Sequence, residues 1–300
     1  MSVQATVLVP TYNHGPTLRP SVQSALDQTV QDIEVFIVGD GLPAATRSIV
    51  EELRAKDSRI TFFSHPKGPR HGEIFRHEAL NQARGKIVCY LSDDDLWLPD
   101  HIAYSLELLK DGNFAHSLPL RISTSGLFET WPGNLSLSFW REYIMNGHNF
   151  IPLSTATHTL RLYKSLPFGW RTTPKGVHTD LYMWQQILAH PACRPVSGTR
   201  PTVLHFHTKG RDGWTPRKRA DELRLWSQKM KNPRFFGVLL IDVVHHLATE
   251  RARFHAEKDD LKKYIQKIGW RSIWGVYNWL LDQPLTGSML KKRAKPASDS

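Results

Sequence analysis

Short apolar runs alternate with amphipathic segments along the first third of the chain. Four runs have the length and β-branched content of buried strands, at 5–10, 33–41, 59–65 and 86–91. Between them, apolar residues at helical spacing predict helices at 17–28, 45–56 and 72–85. Strands separated by helices of this length are joined by right-handed crossovers. The pattern therefore predicts an α/β fold with a mostly parallel sheet flanked by helices.

The second part of the chain is less regular. Its pattern predicts strands at 114–123, 155–163 and 200–208, and helices at 99–110, 137–147 and 178–190. From Pro216 onward we expect only helices, at 216–230, from Phe235 to about Phe254, and in two shorter pieces to Leu281. The predicted domains are an α/β domain over 1–215, a basic, Trp-rich helical extension over 216–290 and a disordered polar tail over 291–300.

Composition excludes several classes of protein. The chain has 300 residues, of which 40% are hydrophobic and 22% charged, as in ordinary globular proteins. Its two cysteines, Cys89 and Cys193, give neither a disulfide framework nor a metal-ligand spacing. No apolar run approaches the roughly 20 residues of a membrane span, and the sequence opens without a signal-peptide pattern. We therefore expect a cytoplasmic protein.

The net charge of +11 is concentrated near the C-terminus. The last hundred residues hold 20 Lys and Arg against 10 Asp and Glu, whereas the first two hundred hold 19 against 18. Trp270, Trp274 and Trp279 are interleaved with this charge, which is typical of helices that lie on an anionic membrane surface. One hypothesis is therefore peripheral attachment at the inner face of the membrane. The alternative is that these helices pack on the α/β domain with their lysines in solvent.

Polar side chains follow three of the predicted strands at the point where each strand ends. The first strand leads into the turn PTYNHG, the second ends at Asp40, and the fourth is followed by Asp93, Asp94 and Asp95. Ligands of open α/β sheets bind beyond the carboxyl ends of the strands. We therefore expect these side chains to line a ligand site.

The three adjacent acids suit a hard divalent cation. Successive side chains of an extended segment point to opposite sides, so the three carboxylates cannot all reach one ion. Mg²⁺ and similar ions are usually held by one or two carboxylates, with waters and substrate phosphates as the remaining ligands. The triplet thus predicts a Mn²⁺ or Mg²⁺ site that a diphosphate completes. The alternative is an acidic turn before the helix predicted at 99–110, whose dipole favours negative charge.

Four stretches resemble the family 2 glycosyltransferases, which have the GT-A fold and bind nucleotide-sugars: VLVPTYNHGPTLRPSVQSALDQT, IEVFIVGDG, ALNQARGKIVCYLSDDDLWLPDHI and HTDLYMWQQIL. The resemblance is dense over residues 3–102 and thin from there to about Trp214. It implies a GT-A-type domain with a nucleotide-sugar-binding half over 1–110 and an acceptor half over 111–215. Gly39 and Ser92 stand where the family often has acids, which leaves an inactive sugar-nucleotide-binding relative as an alternative.

The resemblance implies a role for each strand-end residue. The turn after the first strand and the acid after the second would line the nucleotide base; these residues are Pro10, Thr11, Tyr12, Asn13 and Asp40. Asp93 would contact the ribose, Asp94 would approach the metal ion, and Asp95 would be a second metal contact. An arginine that precedes the fourth strand would reach the diphosphate, and Arg70 and Arg76 are the candidates.

Sugar transfer with inversion also needs a general base that takes the proton of the acceptor hydroxyl. In the family this base is an Asp at the start of a downstream helix, which corresponds to Asp180 here; without the resemblance, Asp180 is typical of a helix N-cap. Some GT-A enzymes add a late His to the metal ligands, which makes His207 a candidate. Since His205 and His207 share a strand face, a structural role is the alternative. Arg211, just beyond, is a candidate for the acceptor side or the diphosphate.

We interpret the chain as a metal-dependent, inverting hexosyltransferase that moves a sugar, from a UDP-sugar in preference, to a glycan or lipid-linked acceptor of the cell envelope. A nucleotidyltransferase is disfavoured, because PTYNHG has one Gly and no Lys. A basic nucleic-acid-binding or membrane-surface protein is a further alternative. The near-neutral first two hundred residues count against nucleic acid as the main partner, so no specific nucleic acid is expected.

Overall fold

The computed structural model describes residues 2–260, apart from 126–127, 131–132, 209, 233, 236, 240, 242–243, 246–248, 250–251 and 254. The chain divides into two compact units, Met1–Leu240 and Ile241–Ser300. In the second unit, the described residues between 241 and 260 are helical. The helices predicted beyond them, the Trp-rich segment and the polar tail lie outside the described residues. Within the described part of the chain, no helix is both long enough and apolar enough to cross a membrane.

One sheet organises the first unit. Its strands are β1 (Ala5–Thr11), β2 (Ile33–Asp40), β3 (Ile60–His65), β4 (Ile87–Tyr90), β5 (Leu96–Trp97), β6 (Phe114–Ile122), β7 (Phe128–Glu129), β8 (Ala156–Thr159) and β9 (Pro195–His205). They are ordered β3-β2-β1-β4-β8-β6-β9-β5, and β7 pairs with β6. The helices are α1 (Gly15–Leu26), α2 (Ala44–Lys56), α3 (Glu73–Asn81), α4 (His101–Asp111), α5 (Ser138–Met145), α6 (Leu160–Ser165), α7 (Thr179–Ala189) and α8 (Pro216–Met230), with a 3₁₀ turn at Leu153–Thr155.

Strands β3, β2, β1 and β4 are parallel neighbours, as the alternation of strands and helices predicted. Both faces of β1 and β2 are buried, which explains why these strands are continuous apolar runs. Leu8 and Phe36 belong to one core cluster, and Val7 and Val35 to the second. Because the four strands run in one direction, their carboxyl ends lie together at one edge of the sheet.

The second part of the sheet is mixed. Strand β8 is antiparallel to both β4 and β6, while β9 is parallel to β6 and antiparallel to β5. The predicted α/β class is confirmed. Among the described strands, the parallel pairing that the sequence indicated is confined to β3-β2-β1-β4 and to the pair of β6 and β9.

Two predicted strands have different bounds in the structure. The strand predicted at 155–163 is wrong in its second half, because β8 ends at Thr159 and α6 follows. The Thr159 hydroxyl oxygen accepts the Leu162 N–H at 3.1 Å, so a local cap determines the boundary. The strand predicted at 200–208 begins earlier, at Pro195, where β9 pairs with Phe114 of β6.

Helix α8 belongs to the first unit. The predicted extension begins at 216, whereas the first compact unit continues to Leu240. Ala220, Leu223 and Trp226 of α8 are buried, because this face of the helix packs on the α/β core. The functional division of the chain into donor, acceptor and extension parts stays a prediction.

Candidate active site

A cavity of about 870 Å³ opens at the carboxyl ends of β1, β2 and β4. All the residues predicted to contact the nucleotide, and the predicted general base, line it: Pro10, Thr11, Tyr12, Asn13, Asp40, Arg70, Arg76, Asp93 and Asp180. The strand order explains this convergence, because β2, β1 and β4 are adjacent and end at one edge. Asp94 and Asp95 are not among the cavity-lining residues of the described chain.

One side of the cavity, the strand wall, consists of Thr11, His14 and Asp93. The Thr11 hydroxyl donates to one carboxylate oxygen of Asp93 at 2.6 Å, and His14 Nδ1 lies 3.0 Å from the other. The Thr17 hydroxyl donates to the backbone carbonyl of Asp93 at 2.7 Å. The hydrogen bond and charge of Asp93 raise the pKa of His14 against the opposing effect of burial. The strand wall is thus a paired acid and imidazole held in a fixed geometry.

Asp95 is anchored in the interior. It is 1% exposed, and its carboxylate accepts the Ser154 hydroxyl at 2.5 Å and the Phe206 N–H at 3.0 Å. His205 Nδ1 lies 3.1 Å from both carboxylate oxygens. Burial alone would raise the pKa of Asp95, but the charge and hydrogen bonds of these partners lower it. Asp95 therefore joins the end of β4 to β9, and its predicted metal contact stays a prediction.

Asp94 pairs with a helix that the sequence did not connect to the site. Arg219 of α8 donates to one carboxylate oxygen at 2.6 Å, and the Ser92 hydroxyl donates to the other at 2.9 Å. Burial, followed by the charges of Asp95 and Asp93, raises the pKa of Asp94. Each of the three adjacent acids therefore has its own basic partner, a histidine for Asp93 and Asp95 and an arginine for Asp94.

The donor set suits a divalent cation that arrives with a diphosphate. No three His, Cys, Asp or Glu side chains converge as a metal site among the described residues. Asp94, with 15% of its side chain exposed, is the most accessible of the three acids, against 8% for Asp93 and 2% for Asp95. A single carboxylate is enough when phosphates and waters supply the other ligands. The ring of His207 lies 5.9 Å from that of His205, and its ligand role stays a prediction.

The end of β2 and the loop after β3 form the outer part of the cavity. Asp40 accepts the Gly68 N–H at 2.6 Å and the Lys67 ammonium at 2.5 Å. Lys67 Nζ also lies 5.4 Å from the centroid of the Tyr12 ring, which is 43% exposed. Gly72 has φ +63, and a Cβ there would lie 2.5 Å from the Asp40 carboxyl carbon, so this position requires glycine.

A second group of cavity-lining residues, the helix wall, consists of Arg76 of α3 and Asp180 of α7. Arg76 is 6% exposed, and its guanidinium lies 4.7 Å over the Trp170 ring. Its hydrogen bond to the His71 carbonyl is long, 3.4 Å, and its Nε has no hydrogen-bond partner among the described residues. Burial lowers the pKa of Arg76 even though several carboxylates oppose this shift. A buried guanidinium with unused donors is a suitable contact for an anionic ligand.

Asp180 lies in the first turn of α7 but does not cap it. The N-cap is His178, which makes no side-chain cap bond, and Asp180 accepts the N–H of the adjacent Leu181 at 2.9 Å. Burial raises the pKa of Asp180, with smaller opposing effects from its backbone hydrogen bonds and from Arg76. The alternative, that Asp180 is the N-cap of α7, is therefore wrong, because His178 occupies that position. A partly buried carboxylate with a raised pKa has the properties of a proton acceptor.

Two other predicted arginines have contrasting environments. Arg70 lines the cavity in a left-handed conformation, with φ 55, and donates to the Val177 carbonyl at 3.2 Å. Arg211 is 2% exposed and makes two hydrogen bonds of 2.6 Å to Glu222. Its guanidinium also donates to the carbonyls of His207 and Ile122. The expectation that Arg211 reaches the acceptor or the diphosphate is therefore wrong, since its donors are committed within the fold.

Sequence reasoning missed Lys67, His14 and Arg219. Lys67 lies in PKGPRHG directly after a predicted strand, which is a signal that strand-end reasoning could have used. His14 is part of the turn PTYNHG that the prediction did include, so only its role was missed. Arg219 had no signal, because it is 125 residues from Asp94 on a helix assigned to the extension.

Comparison with known proteins identifies the family of this chain. The model for "Glycosyl transferase family 2" matches residues 6–168, which is more than half of the chain. The chain therefore belongs to glycosyl transferase family 2, as the resemblance indicated.

Its relatives include bacterial proteins named as a glucosyltransferase and as a chondroitin synthase. The GalNAc(5)-diNAcBac-PP-undecaprenol beta-1,3-glucosyltransferase of Campylobacter jejuni is 30% identical over 114 residues, which are 37% of this chain and 36% of that protein. The chondroitin synthase of Pasteurella multocida is 32% identical over 111 residues, which are 37% of this chain and 11% of the synthase. The matched region thus spans well under half of either relative.

Solved structures confirm the GT-A-type fold. Staphylococcus aureus TarS residues 1–349 in complex with UDP-GlcNAc match at a TM-score of 0.53 with 18% identity, over 68% of this chain and 58% of that one. The mannosyltransferase PcManGT of Pyrobaculum calidifontis, in complex with GDP-Man and Mn²⁺, matches at 0.52 with 17% identity, over 87% and 81%.

Proposed function

We propose that this chain is an inverting glycosyltransferase that moves a sugar from a nucleotide-diphospho-sugar, with a UDP-sugar favoured, to a hydroxyl group of a glycan or lipid-linked acceptor. One observation supports this above the others: the residues assigned to the nucleotide and the assigned base line a single cavity. Its volume of about 870 Å³ is in the range of small-molecule sites, about 300–1,000 Å³.

The donor occupies the cavity with its base near Tyr12 and Asp40 and its diphosphate toward Arg76. An exposed aromatic ring at the rim gives the base a face on which to stack. Asp93 accepts from a ribose hydroxyl, because each of its oxygens has a further lone pair beyond its bond to Thr11 or His14. The unpaired Nε of Arg76 supports a contact with an acceptor-rich group such as a diphosphate.

The transfer needs one proton acceptor and one charge-stabilising group. The acceptor oxygen forms a bond to the anomeric carbon while the bond from that carbon to the diphosphate oxygen breaks. The hydroxyl proton passes to Asp180, and the departing diphosphate keeps the electron pair of the broken bond. The raised pKa of Asp180 supports this role, because a base works best with a pKa near the operating pH. Arg76 offsets the charge that develops on the leaving group.

Mn²⁺ or Mg²⁺ is part of the proposal through Asp94, with Asp95 and His207 as further assigned ligands. When bound, the ion neutralises charge on the leaving diphosphate. Asp94 is the first candidate ligand of this ion, because the carboxylate of Asp95 already pairs with Ser154, His205 and Phe206. One solved relative of this fold, the mannosyltransferase PcManGT, is described with Mn²⁺.

We further propose a cytoplasmic protein at the inner face of the membrane. The net charge of +10 in the last hundred residues supports electrostatic attraction to anionic lipids. The Campylobacter relative is named for an undecaprenol-linked substrate, so a lipid-linked acceptor would also suit this chain. Full-length protein should sediment with anionic liposomes at low salt and less so as salt rises. Failure to sediment at low salt would contradict this location.

A thermal-shift screen tests the donor assignment. UDP-, GDP-, CMP- and TDP-linked sugars are added separately, each with Mn²⁺ and with EDTA. We expect one nucleotide class to raise the melting temperature, and the shift to be larger with Mn²⁺. The donor so identified is then incubated with candidate lipid-linked acceptors, and release of the nucleoside diphosphate is measured. A protein that binds the donor but never releases diphosphate would be an inactive relative.

A further inference from the structure

The ion pair between Arg219 and Asp94 joins helix α8 to the acid triplet. Their side chains are 10% and 15% exposed, and the nitrogen and oxygen lie 2.6 Å apart. Arg219 also acts electrostatically on the cavity-lining His14. The guanidinium therefore lies on the carboxylate that the proposed function assigns to the divalent cation.

The guanidinium of Arg219 is only partly satisfied. The arginine side chain carries five N–H donors, and Asp94 is the one hydrogen-bond partner of the Arg219 side chain within the described part of the chain. Its Nε is buried without any partner. Arg211, eight residues earlier, donates to Glu222 and to two backbone carbonyls. A purely structural arginine would be expected to resemble Arg211, so the spare donors of Arg219 point to a second partner.

Asp94 cannot hold Arg219 and a divalent cation together at full strength. Two cations on one carboxylate repel each other, and the repulsion is strong where the groups are largely buried. The oxygen of Asp94 that does not bind Arg219 accepts the Ser92 hydroxyl. Entry of a metal ion therefore weakens the hold of Asp94 on the guanidinium and favours its release. Once displaced, its parallel N–H groups match phosphate oxygens better than any neutral group does.

We propose that Arg219 is an exchangeable counter-ion, which neutralises Asp94 in the free protein and moves to the diphosphate of the donor when a divalent cation takes Asp94. The proposal rests on the proposed function in two respects, the assignment of Asp94 as the metal contact and the binding of a diphosphate-containing donor in the cavity. It makes α8 part of the donor site and gives the metal ion a competitor within the protein.

Metal binding to the free protein tests the first half of the exchange. Mn²⁺ is titrated into the full chain without nucleotide, and free Mn²⁺ is measured by electron paramagnetic resonance. Arg219→Gln should tighten Mn²⁺ binding about tenfold or more, because a neighbouring charge shifts an ionic equilibrium by one to three powers of ten. Arg224→Gln is the matched control: it removes the same charge from the same helix, and Arg224 is 55% exposed and pairs with Asp221.

Nucleotide binding tests the second half. With saturating Mn²⁺, Arg219→Gln should bind UDP about tenfold more weakly than Arg224→Gln, since hydrogen bonds to charged groups are among the strong ones. Arg219→Lys keeps the charge without the planar fork, so it should bind Mn²⁺ like the wild type and UDP more weakly. This variant also serves if Arg219→Gln does not fold.

The outcomes separate this proposal from the proposed function. Equal Mn²⁺ affinity in the wild type and Arg219→Gln, or equal UDP affinity in the Arg219 and Arg224 variants, would overturn the exchange and make Arg219 a structural ion pair. Asp94→Asn should lose Mn²⁺ binding. If it binds Mn²⁺ like the wild type, the metal assignment of Asp94 fails and the exchange fails with it. If UDP and the other nucleotides bind to no variant, the proposed function itself fails.

Discussion

The strand wall and the helix wall of the cavity both carry buried charge, but they satisfy it differently. In the strand wall, both carboxylate oxygens of Asp93 have protein partners, Thr11 and His14. In the helix wall, Arg76 has one long side-chain hydrogen bond and an Nε without a partner, and the Asp180 side chain accepts only from the adjacent backbone, as far as the described residues are concerned. The strand wall is therefore a pre-built frame, whereas the helix wall keeps hydrogen-bonding capacity for a ligand.

This difference has an energetic meaning. A buried polar group without a partner costs stability, so a fold keeps one only where something else compensates. Substitutions in the strand wall and its supports should therefore lower stability. Substitutions in the helix wall should lower binding or turnover and leave stability unchanged or slightly higher. The following predictions test this contrast, beginning with the largest expected effect.

The general base should give the largest effect. Asp180→Asn should lower kcat by about 10²–10⁴-fold, because the amide cannot take the acceptor proton. Nucleotide affinity should be unchanged. Stability at neutral pH should be equal or higher, since the raised pKa of Asp180 means that its ionised form opposes folding. Steady-state kinetics and thermal melting measure the two quantities, with Asp111→Asn, an exposed acid at the end of α4, as the control. Normal turnover in Asp180→Asn would show that another residue is the general base.

The interior pair behind the strand wall should dominate stability. Asp95→Asn should lower the free energy of unfolding by about 3–5 kcal/mol, because it leaves His205 without its charge partner. The contribution of Asp95, whose folded pKa is lowered, is present above pH 3.8 and lost as the pH falls through that folded pKa. Urea unfolding at several pH values measures this. A loss under about 1 kcal/mol would show that the strand side is not the frame described here.

Arg76 should separate binding from stability. Arg76→Met should weaken donor binding by about 10–100-fold, which corresponds to about 1.5–3 kcal/mol for hydrogen bonds to a charged group. Its free energy of unfolding should not fall, because the substitution removes a buried, incompletely paired charge. Calorimetry and urea unfolding give both values, and Arg54→Met on the exposed face of α2 is the control. A large loss of stability in Arg76→Met would contradict the claim that substitutions in the helix wall leave stability unchanged.

His14 should give the smallest effect. Its side chain is 40% exposed, so His14→Gln should cost less than about 1 kcal/mol of stability. The pKa of His14 is raised by Asp93, so its contribution is fully present below pH 6.5 and disappears as the pH rises through the folded pKa. Melting temperatures of the wild type and the variant should therefore converge in alkaline buffer. If the difference in melting temperature grew as the pH rose, the assigned pairing of His14 with Asp93 would be wrong.

The parallel half of the fold was predictable because its strands are buried on both faces. Such strands appear as continuous apolar runs, and alternation with helices then determines the pairing direction. The same logic located the cavity, since Tyr12, Asp40 and Asp93 follow strands that end at one edge. β8 and α6 were harder to predict, because a four-residue strand and the start of a six-residue helix lie within the single strand predicted at 155–163, and the Thr159 cap separates them.

The partners of the acid triplet were not predictable. His205 and Arg219 are 110 and 125 residues from the acids they contact. The sequence groups His205 with His207 on one strand face, but nothing in the local pattern of His205 or Arg219 indicates which acid it contacts. For Arg211 the sequence predicted a contact that the structure does not have. Its position shortly after His207 suggested a ligand role, whereas its guanidinium donates to Glu222. Long-range pairing is a property of packing, and periodicity does not encode it.

The central claim is that this cavity binds the nucleotide of the donor, and Tyr12 tests it most directly. Its ring is 43% exposed at the rim, so Tyr12→Ala should leave the fold intact. Calorimetric titration with the nucleotide-sugar found by thermal shift should show binding to the wild type. Affinity should fall by about 5–100-fold in Tyr12→Ala, in line with about 1–3 kcal/mol for stacking of a base on an aromatic ring. Phe168→Ala, which removes a 56% exposed ring that does not line the cavity, should bind like the wild type. Equal affinity in all three proteins would contradict the account.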